Sequence, residues 1–178
     1  MNLSEFDYKD ENTWLMLGDC LERMREIPDK SVDLIVTDPP YGTTKNKWDS
    51  VIPLEPMWRE LKRVIKVNGA IVMTASQPYT TSLISSNLKD FRYCLVWEKQ
   101  KGSDPLNANR KPLKSHEDIV VFYSKQPTYN PQFSPGDPYS GRIDKSVKSS
   151  NFNSANIVKG GGSDGRRYPK SVIKISNE

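Results

Sequence analysis

Short apolar runs alternate with stretches of helical period along the first 125 residues of the chain. Residues 13–17 read as a short apolar strand, and 20–27 carry Leu21, Met24 and Ile27 at helical spacing. The run Val32-Asp33-Leu34-Ile35-Val36-Thr37 within 31–37 predicts a buried parallel strand, since such strands are rich in Val, Ile and Leu. Residues 54–66 place Met57, Leu61, Val64 and Ile65 on one helix face, and Asn68-Gly69 are expected to stop that helix. Residues 70–74 predict a third strand, 79–88 a helix, and 91–98 and 118–123 two more strands. The alternation predicts an α/β fold, a Rossmann-like doubly wound sheet that is mostly parallel.

After Lys125 the pattern breaks. Pro127, Pro131, Pro135, Pro138 and the run Gly160-Gly161-Gly162 punctuate a stretch rich in Ser and Asn that keeps no sustained period. The chain therefore reads as a core over 1–125 and a loop-rich region over 126–178. The triple glycine has no predicted strand before it and no helix after it, so it reads as a flexible turn.

Asp38-Pro39-Pro40-Tyr41 follows the apolar run at its carboxyl end, where open α/β sheets collect their chemistry. The two prolines fix φ and remove N–H donors, leaving a stiff turn rich in acceptors. Such a turn suits an exocyclic amine whose lone pair is delocalised into an aromatic ring. If the Asp38 carboxylate and the Pro39 carbonyl each take one N–H bond, the nitrogen is held closer to tetrahedral and its lone pair is aimed at an electrophile. Tyr41 supplies a face for a base removed from its stack. An ordinary Asp is far too acidic to deprotonate a neutral aryl amine, so Asp38 reads as an acceptor.

With these residues the chain resembles the amino-group DNA methyltransferases of the permuted β class. The resemblance takes in Leu17-Gly18-Asp19-Cys20-Leu21, residues 31–41, Leu61-Lys62-Arg63-Val64-Ile65-Lys66 with Asn68-Gly69-Ala70, Val96-Trp97-Glu98-Lys99, and His116-Glu117-Asp118-Ile119-Val120-Val121-Phe122-Tyr123. It implies S-adenosylmethionine as cofactor, double-stranded DNA as partner and, from the Asp-first tetrapeptide, adenine N6 as target; cytosine N4, another planar amine or an inactive DNA-binding remnant stay open. Asp38, Pro39, Pro40 and Tyr41 become the catalytic set. Asp19 and Cys20, with Asp38, become cofactor contacts, although Asp19 equally suits a helix N-cap. Trp97 and Lys99 would flank the active face and Phe122 or Tyr123 wall the base pocket, against a core role for the aromatics. The family's recognition region would lie after residue 125, with Arg142, Lys145, Lys148, Arg166 and Arg167 available to phosphates.

The resemblance also implies what to expect beyond these residues. The family's cofactor glycine loop, a Phe-x-Gly-x-Gly type motif, would follow the recognition region, and the sequence does not contain it. The fold is therefore expected to be incomplete, the chain alone to bind the cofactor poorly, and a second chain carrying the glycine loop becomes an expected partner. By the family's sheet order the strand at 13–17 lacks its neighbours.

Composition narrows the setting. At 178 residues and 35% hydrophobic, the chain can bury one core. Cys20 and Cys94 lie inside predicted elements behind no secretory leader, which predicts reduced thiols and a cytoplasmic location. No apolar stretch reaches membrane-spanning length. The lone histidine, His116, spells no metal site. The net charge of +4 is uneven: residues 1–100 hold 13 Lys and Arg against 15 Asp and Glu, and 101–178 hold 13 against 7. A basic C-terminal part is the footprint of phosphate binding or of a solvated basic tail.

Overall fold

In the computed structural model the described residues are 8–140 and 162–175. They fall into two compact units, Met1–Thr128 with Ser171–Glu178, and Tyr129–Lys170.

The first unit opens with a hairpin of β1 (Tyr8–Lys9) and β2 (Trp14–Leu15), then α1 (Cys20–Arg23) and a short 3-10 turn. Its main elements follow as β3 (Val32–Thr37), α2 (Leu54–Val64), β4 (Ile65–Ala75), α3 (Tyr79–Ser86), β5 (Phe91–Ser103) and β6 (Lys114–Phe122). A last strand of this unit, Val172–Lys174, joins β5. With β3 at one edge and Val172–Lys174 at the other, the sheet order is β3, β4, β6, β5 and the last strand. β3 pairs with β4 in parallel, as β5 does with Val172–Lys174, while β6 is antiparallel to both its neighbours. Four strands thus run one way and β6 alone is reversed. The link from β5 to β6 is only residues 104–113, too short for the crossover a parallel pair needs.

α2 and α3 cover one face of this sheet. Met57, Trp58 and Leu61 of α2 and Tyr79 and Leu83 of α3 pack on Ile71, Met73, Ala75, Val120 and Phe122. Trp58 and Phe91 meet the Phe122 ring edge-on, with centroids 4.8 and 6.0 Å away. On the alternate face Leu34, Val36 and Tyr93 are 55%, 69% and 41% exposed, so the described helices supply one layer of the expected double winding.

Two devices seat β3 against β4. The Arg63 guanidinium donates to the carbonyls of Ile27 and Met24 at 2.8 and 2.7 Å and to the carboxylates of Asp29 and Glu60, tying α2 to the segment that leads into β3. Glu60 is 7% exposed, and its carboxyl is held below the usual range by its bond from Arg63. Between the Val32–Ile65 and Leu34–Ala70 pairs β4 bulges, and there a Cβ on Gly69 would sit 2.8 Å from the Asp33 carbonyl. Asn68-Gly69 therefore does not end a helix: α2 stops at Val64, Ile65 is already extended, and Gly69 serves the close approach of two strands.

Other elements depart from the sequence pattern in instructive ways. The strand expected over 13–17 pairs with Tyr8–Lys9 and not with the sheet, across a turn in which Asp10 Oδ1 accepts from the amides of Asn12 and Thr13 at 2.8 and 2.6 Å. β5 and β6 both run further than their apolar runs, because their polar ends form an exposed ribbon. Val172–Lys174 lies in the range read as loop-rich, and it returns to the first unit's sheet.

In the second unit β7 (Ser134–Pro135) pairs antiparallel with β8 (Arg166–Arg167), which makes the last strand of the first unit β9 (Val172–Lys174). Arg142, Lys145, Lys148 and Gly160-Gly161 lie outside the described residues. Among the described residues no helix is long and apolar enough to cross a membrane, and no group of three or more His, Cys, Asp or Glu could hold a metal ion.

The packing sets opposite expectations for two apolar residues. Phe122 is fully buried, so Phe122→Ala should cost about 3–5 kcal/mol in urea denaturation. Leu34→Ser, on the exposed face, should change stability by no more than about 0.5 kcal/mol.

Candidate active site

The parallel pairing of β3 and β4 aligns Thr37 with Met73, which brings Asp38 and Thr74 together just past that pair. The Thr74 hydroxyl donates to Asp38 Oδ1 in a short hydrogen bond. The Tyr41 hydroxyl lies 2.7 Å from the same oxygen and 2.8 Å from Thr74 Oγ1. Oδ1 is thus fixed by two hydroxyls, and Asp38 Oδ2 has no partner among the described residues. Asp38 itself is exposed and Pro39 behind it is buried, so a rigid turn presents an open carboxylate oxygen.

Tyr41 is held from behind. Its ring stacks on Tyr79 with centroids 5.5 Å apart and planes 24° off parallel, and Tyr79 is only 4% exposed. One face of Tyr41 is therefore taken, and the ring is stiffened by packing and by its hydroxyl bonds. Burial pushes the Tyr41 phenol above the ordinary tyrosine range; its bond to Thr74 opposes the shift, and Asp38 and Glu117 reinforce it. The phenol is a donor here, not an anion.

The chain leaving the tetrapeptide forms a closed loop. Asp49, 7% exposed, accepts from the amides of Gly42 at 2.8 Å and Thr44 at 2.6 Å through its two carboxylate oxygens. Burial alone would raise the Asp49 carboxyl, but these amide bonds outweigh it and hold it below the usual range. Gly42 has φ +68, and a Cβ there would also meet Val51 at 2.8 Å.

Because β6 is reversed, its first half lies beside this end of the sheet: Ala75 pairs with Asp118, and Trp97 pairs with Glu117. Lys99 bonds Glu117 and holds its ammonium 5.2 Å over the Trp97 ring. Trp97 is half-buried and outside the core cluster, so the pair expected to flank the active face forms one cluster with Glu117. Phe122 is corrected. The reversed strand carries it to the opposite end, opposite Ile71 and Phe91, where it is fully buried and cannot wall a pocket at Asp38.

Asp19 is the N-cap of α1, accepting from the Leu21 amide at 2.8 Å. Cys20 is exposed, and partial burial of its sulfur and then the Asp19 charge raise its thiol pKa. In the second unit Arg166 pairs with Asp164 at 2.7 Å and lies 5.1 Å over Phe133, while Arg167 bonds Ser163 and the Asp137 carbonyl and lies 5.2 Å over Tyr139. Sequence reasoning missed Thr74, Tyr79 and Glu117. Thr74 had a signal, its place at the carboxyl end of the strand next to β3.

A family profile described as DNA methylase matches residues 32–171. The chain is 33% identical over 131 residues to the type II methyltransferase M.BglII of Bacillus subtilis, covering 63% of this chain and 35% of that protein. It is 29% identical over 112 residues to the type II methyltransferase M.HinfI of Haemophilus influenzae, covering 48% and 31%. The chain thus spans about a third of the length of these relatives. Among solved structures, the PvuII DNA methyltransferase (cytosine-N4-specific) aligns with TM-score 0.55 at 15% identity, over 92% of this chain and 57% of that one, a likeness of fold.

The raised Tyr41 phenol makes a pH prediction. Its folded pKa lies above the unfolded value of about 10, so the fold keeps this proton longer than the unfolded chain does. Its contribution is complete below that pH and lost as pH rises through the alkaline range. Between about pH 8 and about pH 11 the urea midpoint of the wild type should fall further than that of Tyr41→Phe.

Proposed function

The chain belongs to the N6/N4 DNA methylase family, and from that premise we propose that it acts in S-adenosylmethionine-dependent methylation of adenine N6 in double-stranded DNA, in a restriction-modification setting in the cytoplasm. The observation that carries this reading is the Asp38 carboxylate. Two hydroxyls hold its Oδ1, leaving Oδ2 to accept one N–H of an incoming amine. The Pro39 carbonyl accepts the second, and the nitrogen lone pair is then set by two fixed acceptors, with no reorganisation required at the moment of transfer. The free face of Tyr41 stacks on the extruded base while Tyr79 backs the other face. The same acceptors receive cytosine N4, and the Asp-first tetrapeptide is what favours adenine.

Asp19, Cys20 and Asp38 carry the polar groups that one wall of a cofactor pocket would need. Asp19, exposed at the end of the segment before α1, keeps one carboxylate oxygen beyond its cap bond, and with Cys20 and Asp38 it would contact the cofactor. When bound, the cofactor supplies an electrophilic methyl group. The opposite wall would form across the outer edge of β3, where Leu34 and Val36 are exposed. Further polypeptide adding strands there, in the same or a second chain, completes the pocket; a bare strand edge beside apolar side chains is a template for such pairing. DNA is the partner of the basic second unit, with Arg166 and Arg167 at its aromatic side chains.

The test supplies the missing wall. Duplex DNA is incubated with the full chain, S-adenosylmethionine and the cofactor-binding half of a relative, and nucleosides are read by mass spectrometry. N6-methyladenine is expected. N4-methylcytosine would move the target to cytosine, and no methylated base would overturn the reading. Asp38→Ala should lower transfer by about a hundredfold or more while unfolding stays cooperative. By calorimetry the chain alone should bind the cofactor weakly or not at all.

A further inference from the structure

Trp48 is 73% exposed, and its ring meets no aromatic or cationic side chain among the described residues. An indole is the largest apolar side chain, and leaving one in water on a loop, in the turn between Asn46 and Asp49, forfeits the burial that ordinarily places it inside. A floppy loop would make this unremarkable, but this loop is braced. Asp49, the next residue, is buried and holds the amides of Gly42 and Thr44; its own amide donates to the Asn46 carbonyl at 3.0 Å, and Ser50 Oγ donates to the Lys47 carbonyl at 3.2 Å. Gly42, one end of the brace, adjoins Tyr41. The indole is therefore presented beside the brace of a closed loop rooted in the candidate active site, and Lys45 and Lys47 on that loop are both exposed.

We propose that Trp48 is a wedge that enters the DNA stack and fills the gap left by the extruded base, with Lys45 and Lys47 on the flanking phosphates. The inference rests on the proposed function, which requires a base to leave the helix and names no residue that replaces it. Extrusion leaves an unstacked step, and an aromatic plane recovers part of the lost stacking whatever the sequence, because every base has a π-face. Two exposed cations beside the indole set a phosphate-facing rim, whose contribution is electrostatic and salt-dependent. The braced backbone matters, since a wedge that must order itself on binding loses part of its gain to entropy.

The experiment uses the full chain and two fluorescein-labelled duplexes, one fully paired and one with an abasic site in place of a single adenine, titrated by anisotropy at several salt concentrations. The abasic duplex has its gap already made. The wild type should prefer it by roughly tenfold, and Trp48→Ala should remove the preference while the salt slope stays unchanged. Trp48→Phe should keep most of it. Lys45→Gln with Lys47→Gln should lower the salt slope by about two and leave the preference in place. In the wild type, binding the abasic duplex should quench tryptophan emission by an amount absent from Trp48→Phe. A preference that survives in Trp48→Ala, or one absent from the wild type although it binds DNA, overturns the wedge and leaves the proposed function standing. A wild type that binds neither duplex overturns both.

Discussion

The register of β3 against β4 is the constraint on which the site depends. Side chains alternate faces along a strand, so a slip of one residue would turn Thr74 away from Asp38, and a slip of two would carry it past. The register is held from both sides: Gly69 admits the Asp33 carbonyl at the bulge, and Arg63 anchors the segment entering β3 to the helix that leads into β4. Neither residue touches the catalytic end. Both act by fixing where the strands stop, and the strand ends fix where the carboxylate and its two hydroxyls meet.

The reversal of β6 has a comparable reach. A strand running with its neighbours would bring Phe122 to the chemical end of the sheet; the short link from β5 brings Glu117 and Asp118 there instead. The cluster of Trp97, Lys99 and Glu117 follows from that one change of direction. So does the core, where Phe122 becomes the ring that Trp58 and Phe91 enclose.

What was legible in the sequence were the elements whose side chains meet a core. The apolar runs in β3, β4, β5 and β6 and the stripe on α2 gave the strands, the helix and the α/β class, and the tetrapeptide gave the Asp38 turn. What escaped was held by polar or backbone forces. The β1 hairpin depends on an aspartate turn, the outer part of β5 is an exposed polar ribbon, and Gly69 looks like a helix stop until the neighbouring strand is known to need its space. The sequence leaves Phe122 between pocket wall and core, because it carries no strand direction, and the reversed β6 decides for the core. Thr74 and Tyr79 are unremarkable in one dimension, and only tertiary pairing sets them at Tyr41.

Asp38 and Thr74 meet across 36 residues of chain that include the whole of α2. Non-local pairs of this kind contribute their contact energy only after a loop of that length has closed, and closure entropy must be met first. The carboxylate geometry therefore requires the parallel pair and does not exist in any short peptide that carries the tetrapeptide. A partly folded chain can form α2 by local contacts and still lack the site, so a population that looks helical by circular dichroism is no measure of competent protein.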